Sequence, residues 1–164
     1  MKKVAIICAS SNKNKELAAS IAAELEQQKA ATQTILLDEL GWELYSTPKE
    51  AHGLPEGVGE MAENLKAVDA MVFVAPEYNG GVPPCLPNFL AWISRSSKDW
   101  RGCFNGKPAA IGTHSGSGGI QALIAMRTQL SYLGMNVLGR QIHTHMKKPL
   151  SPETLTQIAS QLVN

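Results

Sequence analysis

Val4-Ala5-Ile6-Ile7-Cys8-Ala9-Ser10-Ser11-Asn12-Lys13-Asn14 is the stretch that decides how this chain folds. Its apolar run, 4–9, is too short for a membrane span or for the hydrophobic part of a secretion signal, so it reads as a buried first strand. A polar turn follows. Residues 16–28 then place Leu17, Ile21 and Leu25 four apart, on one face of a helix. Strand, short turn and helix open a βαβ unit, and the turn separates two doubly wound layouts. The dinucleotide-binding layout places G-x-G-x-x-G there, whereas residues 9–14 contain no glycine. The expected strand order is therefore 2-1-3-4-5. In that order ligands lie beyond the carboxyl ends of strands 1, 3 and 4, where the winding reverses.

The alternation of short apolar runs with helical stretches continues along the chain, the signature of a parallel sheet covered on both faces. Further strands are predicted at 34–38, 70–75, 109–113 and 136–142. Further helices are predicted at 58–67, 85–96 and 120–133, with a last one opened by Ser151-Pro152-Glu153, for five strands and about five helices. In the 85–96 helix, Leu86, Phe89, Leu90 and Ile93 mark the inner face; Gly134 stands at a left-handed cap after 120–133. Between Gly41 and Gly59, Pro48, Gly53, Pro55 and Gly57 break the pattern, and a loop of that length is usually functional or mobile.

The 164 residues read as one domain, 1–164, able to bury roughly 70% of its unfolded surface without covalent staples. A hydrophobic share of 44% and a charged share of 18% are those of a globular protein rather than a disordered one. The net charge of +1 provides no field for nucleic acid or an anionic membrane, and neither is expected as a partner. Cys8, Cys85 and Cys103 are odd in number and lack C-x-x-C spacing, which argues against disulfides and zinc and for a reducing cytoplasm. His143 and His145 alternate at a strand end with no carboxylate or cysteine close in sequence, so they read as surface histidines, with no metal site. Cys85 stands near a helix start, where the dipole could lower its pKa, although a small packed residue is the preferred account.

Three loops at the predicted ligand edge carry chemistry. Ser10, Ser11, Asn12, Lys13 and Asn14 offer hydroxyls, amides and an ammonium at a helix N-terminus, a set suited to a phosphomonoester; the plainer alternative is that Ser11 or Asn12 only caps the helix. Pro76-Glu77-Tyr78-Asn79-Gly80-Gly81 then places an aromatic ring and an amide where strand 3 ends. It leads into a proline-started helix, and the alternative there is a tight turn and nothing more. Thr113-His114-Ser115-Gly116-Ser117-Gly118-Gly119 follows strand 4, and its glycines permit close backbone approach to a ligand.

Taken together, Pro76-Glu77-Tyr78-Asn79-Gly80, the Pro-x-x-Leu-x-Asn-x-Leu-x-Trp of Pro83 to Trp92, and Gly116 to Gly119 resemble the NADPH-dependent FMN reductases. The likeness extends to Leu54-Pro55 and to Leu130-Ser131-Tyr132-Leu133-Gly134. It implies a flavodoxin-like α/β fold, FMN as cofactor, and NADPH or NADH as hydride donor to a small-molecule electron acceptor. Carried over by position, Ser10, Ser11, Asn12, Lys13 and Asn14 would hold the phosphate. Pro76, Glu77, Tyr78, Asn79 and Gly80 would contact the isoalloxazine, with Thr113, His114, Ser115 and Gly116 beside it. A homodimer or homotetramer is also implied, with Trp92, Trp42 and Trp100 either in the core or at the subunit contact. No catalytic acid or base is assigned, because the flavin carries the redox chemistry; Tyr78 and His114 are the side chains to examine for gating and proton supply. The first loop is shorter than the family's and has Lys13 where an arginine would bind phosphate through two bonds. Two further readings therefore stand beside the reductase: a flavodoxin-like electron carrier and a flavin-free binding protein. The chain's near-neutral charge disfavours the carrier, since carriers of that type dock through strong acidity.

Overall fold

The computed structural model describes residues 1–116 and 118–164. Its sheet is parallel and ordered β2-β1-β3-β4-β5, with a sixth strand beside β4. The strands are β1 (Lys3–Cys8), β2 (Ala31–Leu36), β3 (Ala70–Val74), β4 (Pro108–His114), β5 (Asn136–Val137) and β6 (Ile142–Thr144). The helices are α1 (Lys13–Gln27), α2 (Thr47–Glu50), α3 (Val58–Lys66), α4 (Cys85–Ile93), α5 (Ile120–Tyr132) and α6 (Pro152–Val163), with 3-10 turns at Leu37–Glu39 and Trp100–Cys103.

Strand alternation sorts the side chains into two cores. Val4, Ile6, Cys8, Val72 and Val74 face Leu17, Ile21 and Leu25 of α1 and Leu155, Ile158 and Leu162 of α6. Ala5, Ile7, Met71, Phe73 and Ile111 face the side made by α3, α4 and α5, through Leu65, Phe89, Trp92, Leu123 and Met126. Each large side chain buried there stabilises the fold by about 1.5–3 kcal/mol. Both faces of β1 from Val4 onward and of β3 are covered, which is why those residues are all apolar.

Several boundaries differ from expectation. The second strand is Ala31–Leu36 rather than 34–38, because Leu37 turns into a 3-10 turn that carries Asp38 off the sheet. The helix expected to reach residue 96 ends at Ile93. The strand expected over 136–142 is two strands: β5 pairs with Pro108 and Ala109, while β6 pairs with Gly112, Thr113 and His114. Between them the Arg127 guanidinium of α5 donates to Val137 O at 3.4 Å and to Gln141 Oε1 at 3.2 Å, bridging the stretch where the chain leaves the sheet. Gly134 has φ +89, and Met135 N donates to Leu130 O at 3.1 Å, the expected left-handed cap.

The long 41–59 segment is fastened to α4 and includes α2, a helix the sequence reading lacked. Trp42 stacks on Phe89 at 5.6 Å, Trp92 Nε1 donates to Glu43 O at 2.8 Å, and Tyr45 N donates to Asn88 Oδ1 at 2.7 Å. Trp92 is fully buried, so it belongs to the core and not to a subunit contact.

Candidate functional site

The parallel order brings the carboxyl ends of β1, β3 and β4 to one rim, and the loops that leave them are bonded to one another. Ala9 N donates to Val74 O at 2.8 Å and Ala75 N to Gly112 O at 3.1 Å, extending the ladder past the strand ends. Asn14 joins the first loop to the third: its Nδ2 donates to His114 O at 2.9 Å, and its Oδ1 accepts from His114 N at 2.8 Å. The second loop meets the third where Glu77 N donates to Ser115 Oγ at 3.2 Å. Gln121 N, in the first turn of α5, donates to Glu77 Oε2 at 3.0 Å.

Burial divides the predicted site residues. Ser10, Asn14, Pro76, Thr113 and Ser115 are buried and shape the rim from behind. Ser11, Asn12, Lys13, Tyr78, Asn79, Gly80 and Gly116 are exposed on it, with Glu77 and His114 in between; Ser117 lies outside the described residues. Asn79 and Gly80 both have positive φ, +51 and +76, and Tyr78 and Gly81 exchange N–H···O bonds at 2.9 and 3.0 Å. This is the I′ type of tight turn. It holds the Tyr78 ring 48% exposed at the edge of the rim.

At the first loop, Asn12 occupies the N-cap of α1 but its side chain caps nothing, so the capping alternative fails for Asn12. The loop's charges are paired among themselves. Ser11 N and Ser11 Oγ both donate to Asp38 Oδ2, at 2.9 and 3.1 Å. Lys13 pairs with Glu16 at 2.9 Å and Lys15 with Glu39 at 3.3 Å. Two ammonium groups therefore face three carboxylates around a loop suited by residue type to an anion. Sequence reasoning missed Asp38, having counted it as the end of a strand. The order 2-1-3 was the available signal, since it sets whatever follows β2 beside the loop that follows β1.

The His114 ring turns toward β6. Thr144 Oγ1 donates its one proton to Thr113 O at 2.9 Å, so its 3.1 Å contact with His114 Nδ1 requires that nitrogen to be the donor. The ring lines a cavity of about 250 Å3 shared with Lys13, Glu16, Thr144 and Leu150. A second cavity, about 440 Å3, lies against the third loop and is lined by Gly116, Gly118, His145, Met146 and Lys147. Gly119 is fixed as glycine: its φ is +76, and a Cβ there would sit 2.6 Å from Thr113 Cγ2 and 2.7 Å from Thr113 Oγ1. The His143 and His145 rings are 5.6 Å apart, and the described residues gather no metal-binding group of three.

Cys85 opens α4 with its thiol 3.6 Å from Ala9 O. Burial first, and then the Asp38 carboxylate, push it from the ordinary 9.0 up to about 12. The upward shift favours the packed residue over a dipole-activated thiol.

Known proteins share this fold. FerB, a flavoenzyme NAD(P)H:(acceptor) oxidoreductase from Paracoccus denitrificans, superposes over 99% of this chain and 96% of its own, with a TM-score of 0.78 and 23% identity. An archaeal flavodoxin superposes over 99% of this chain and 93% of its own, with a TM-score of 0.64 and 17% identity; both likenesses concern the fold. In sequence, an NAD(P)H-dependent FMN reductase of Pseudomonas aeruginosa is 36% identical over 64% of this chain and 56% of its own length. A namesake from Saccharomyces cerevisiae is 32% identical over 71% and 62%. A quinone reductase of Pseudomonas putida is 32% identical over 80% and 71%. The chain thus spans about three fifths of the first two relatives. With residues 2–148 matching the model of the NADPH-dependent FMN reductases, and the three rim loops among them, the chain belongs to that family.

Proposed function

We propose that the protein is an FMN-dependent NAD(P)H oxidoreductase that serves a quinone, azo, metal or free-flavin acceptor in ping-pong order. One observation carries the reading: Asn14, Ser115 and Glu77 bond three ligand-type loops into a single rim, in a chain of this family. When bound, FMN supplies the redox chemistry, taking a hydride from the nicotinamide and passing electrons on.

The protein's part is to hold and orient. The uncapped start of α1 directs backbone N–H groups toward a phosphate at Ser10 to Asn14. The turn through Pro76, Glu77, Tyr78, Asn79 and Gly80 presents backbone to the edge of a planar ring. Thr113, His114, Ser115 and Gly116 would support its other side, and among the described residues no atom lies within 4 Å of where a Cβ on Gly116 would stand. A ring held there with a single open face would serve donor and acceptor in turn, which favours ping-pong kinetics. Chain 1–164 acts as one domain on this reading, as a cytoplasmic homodimer or homotetramer. Ile120, Ile124 and Tyr132 support assembly by exposing an apolar stripe along α5, at 45%, 53% and 77%.

The test is anaerobic stopped-flow absorbance of FMN-loaded protein mixed with NADPH or NADH. Flavin bleaching before any acceptor is added is the expected result. Bleaching by dithionite but by neither nicotinamide would favour the electron carrier, and no FMN uptake would leave the flavin-free binding protein.

A further inference from the structure

We propose that Asp38 is an internal anion seated on the phosphate donors of the first loop, so that FMN exchanges as a dissociable ligand and its phosphate adds little to its retention. The proposal rests on the FMN reading above and concerns which flavins this rim keeps.

Ser11 N and Ser11 Oγ are among the donors the first loop offers a phosphate, and Asp38 Oδ2 holds both, at 2.9 and 3.1 Å. The nearby cations already have partners, Lys13 pairing with Glu16 and Lys15 with Glu39, both in exposed ion pairs. Cys85, at the start of α4, registers the same negative charge, because the Asp38 carboxylate adds to burial in holding its thiol protonated. A phosphate dianion arriving here must displace Asp38 and remain within a few ångströms of it, and like charges at that distance oppose one another strongly. Asp38 is exposed in a short 3-10 turn whose backbone sets it beside Ser11, so its charge stays at the loop when a ligand takes its hydrogen bonds. An unphosphorylated flavin makes no such demand. The ring-facing loops therefore set affinity, and the phosphate contributes a small increment that Asp38 keeps small.

Asp38→Asn is the deciding variant, because the amide oxygen still accepts from Ser11 while the charge is gone. Flavin fluorescence quenching gives dissociation constants for FMN and riboflavin on both proteins. The expected result is less than about tenfold preference for FMN in the wild type, and an FMN affinity in Asp38→Asn tightened roughly ten- to hundredfold with riboflavin unmoved. Equal shifts for both flavins, or weaker FMN binding in the variant, would overturn the proposal, since Asp38 would then be organising the loop. Thermal denaturation with added inorganic phosphate supplies an arm independent of the ring. Phosphate is expected to stabilise Asp38→Asn well above wild type. If it does so while neither protein takes up flavin, the anion proposal stands and the FMN reading falls. If FMN binds both proteins alike and phosphate stabilises neither, the FMN reading stands and the proposal falls.

Discussion

Replacing Asn14 with alanine tests whether the rim is one unit. Asn14 is 3% exposed and makes two bonds across a sequence separation of 100, one donated to His114 O and one accepted from His114 N. Each such bond contributes about 1 kcal/mol net, and leaving the partly buried backbone groups of His114 unsatisfied adds to the loss. The expected cost is about 2–4 kcal/mol, a fall in Tm of roughly 5–15 °C for a chain of this size. The loss should also be local: hydrogen exchange at the His114 amide is expected to accelerate far more than exchange in β1 or β3, and FMN uptake to weaken in parallel. Asn14→Asp should cost at least as much as alanine at neutral pH, because a buried carboxylate accepts from His114 N but faces His114 O with no proton to donate. An alanine variant within about 0.5 kcal/mol of wild type, the range of an ordinary surface substitution, with unchanged His114 protection, would refute the idea that this amide joins the loops.

Gly119→Ala combines a positive φ with overlap on Thr113, and is expected to cost about 2–4 kcal/mol and to loosen the Ser115–Glu77 contact, as read by denaturant melts and amide exchange. Stability is expected to decline as pH rises from about 9 toward about 12. Cys85 is pushed up to about 12, so its contribution is intact below the ordinary 9.0 of an unfolded thiol and is lost as the folded group ionises; Cys8 and Cys103 are shifted the same way by burial. Iodoacetamide should therefore label Cys85 slowly near pH 8, and faster in Asp38→Asn, where one cause of the shift is gone; rapid labelling of the wild type would contradict the assignment. Trp92→Phe removes the 2.8 Å bond to Glu43 O and should lower stability by about 1–2 kcal/mol in chemical melts while leaving the sedimentation behaviour unchanged, because the ring is internal.

Local pattern alone was enough for the doubly wound order, the apolar strands, the three rim loops and the Gly134 cap, because each depends on periodicity or on backbone freedom carried by a few neighbouring residues. The absence of glycine between Ala9 and Asn14 separated one winding from the other before any contact was known. What the loops do to one another was not legible there. Asn14 reads as a free donor in sequence and becomes a clamp only when β4 arrives beside β1's helix, 100 residues later. Asp38 reads as a strand end and becomes the neighbour of Ser11 only because β2 lies at the edge next to β1. The division of residues 136–142 into two strands, with Arg127 of α5 bonded to both sides of the gap, was likewise not legible in local pattern. Periodicity reports which face a residue occupies, whereas a hydrogen bond between distant segments exists only once the sheet has set their separation, and so the site's partners were a decision of the tertiary structure.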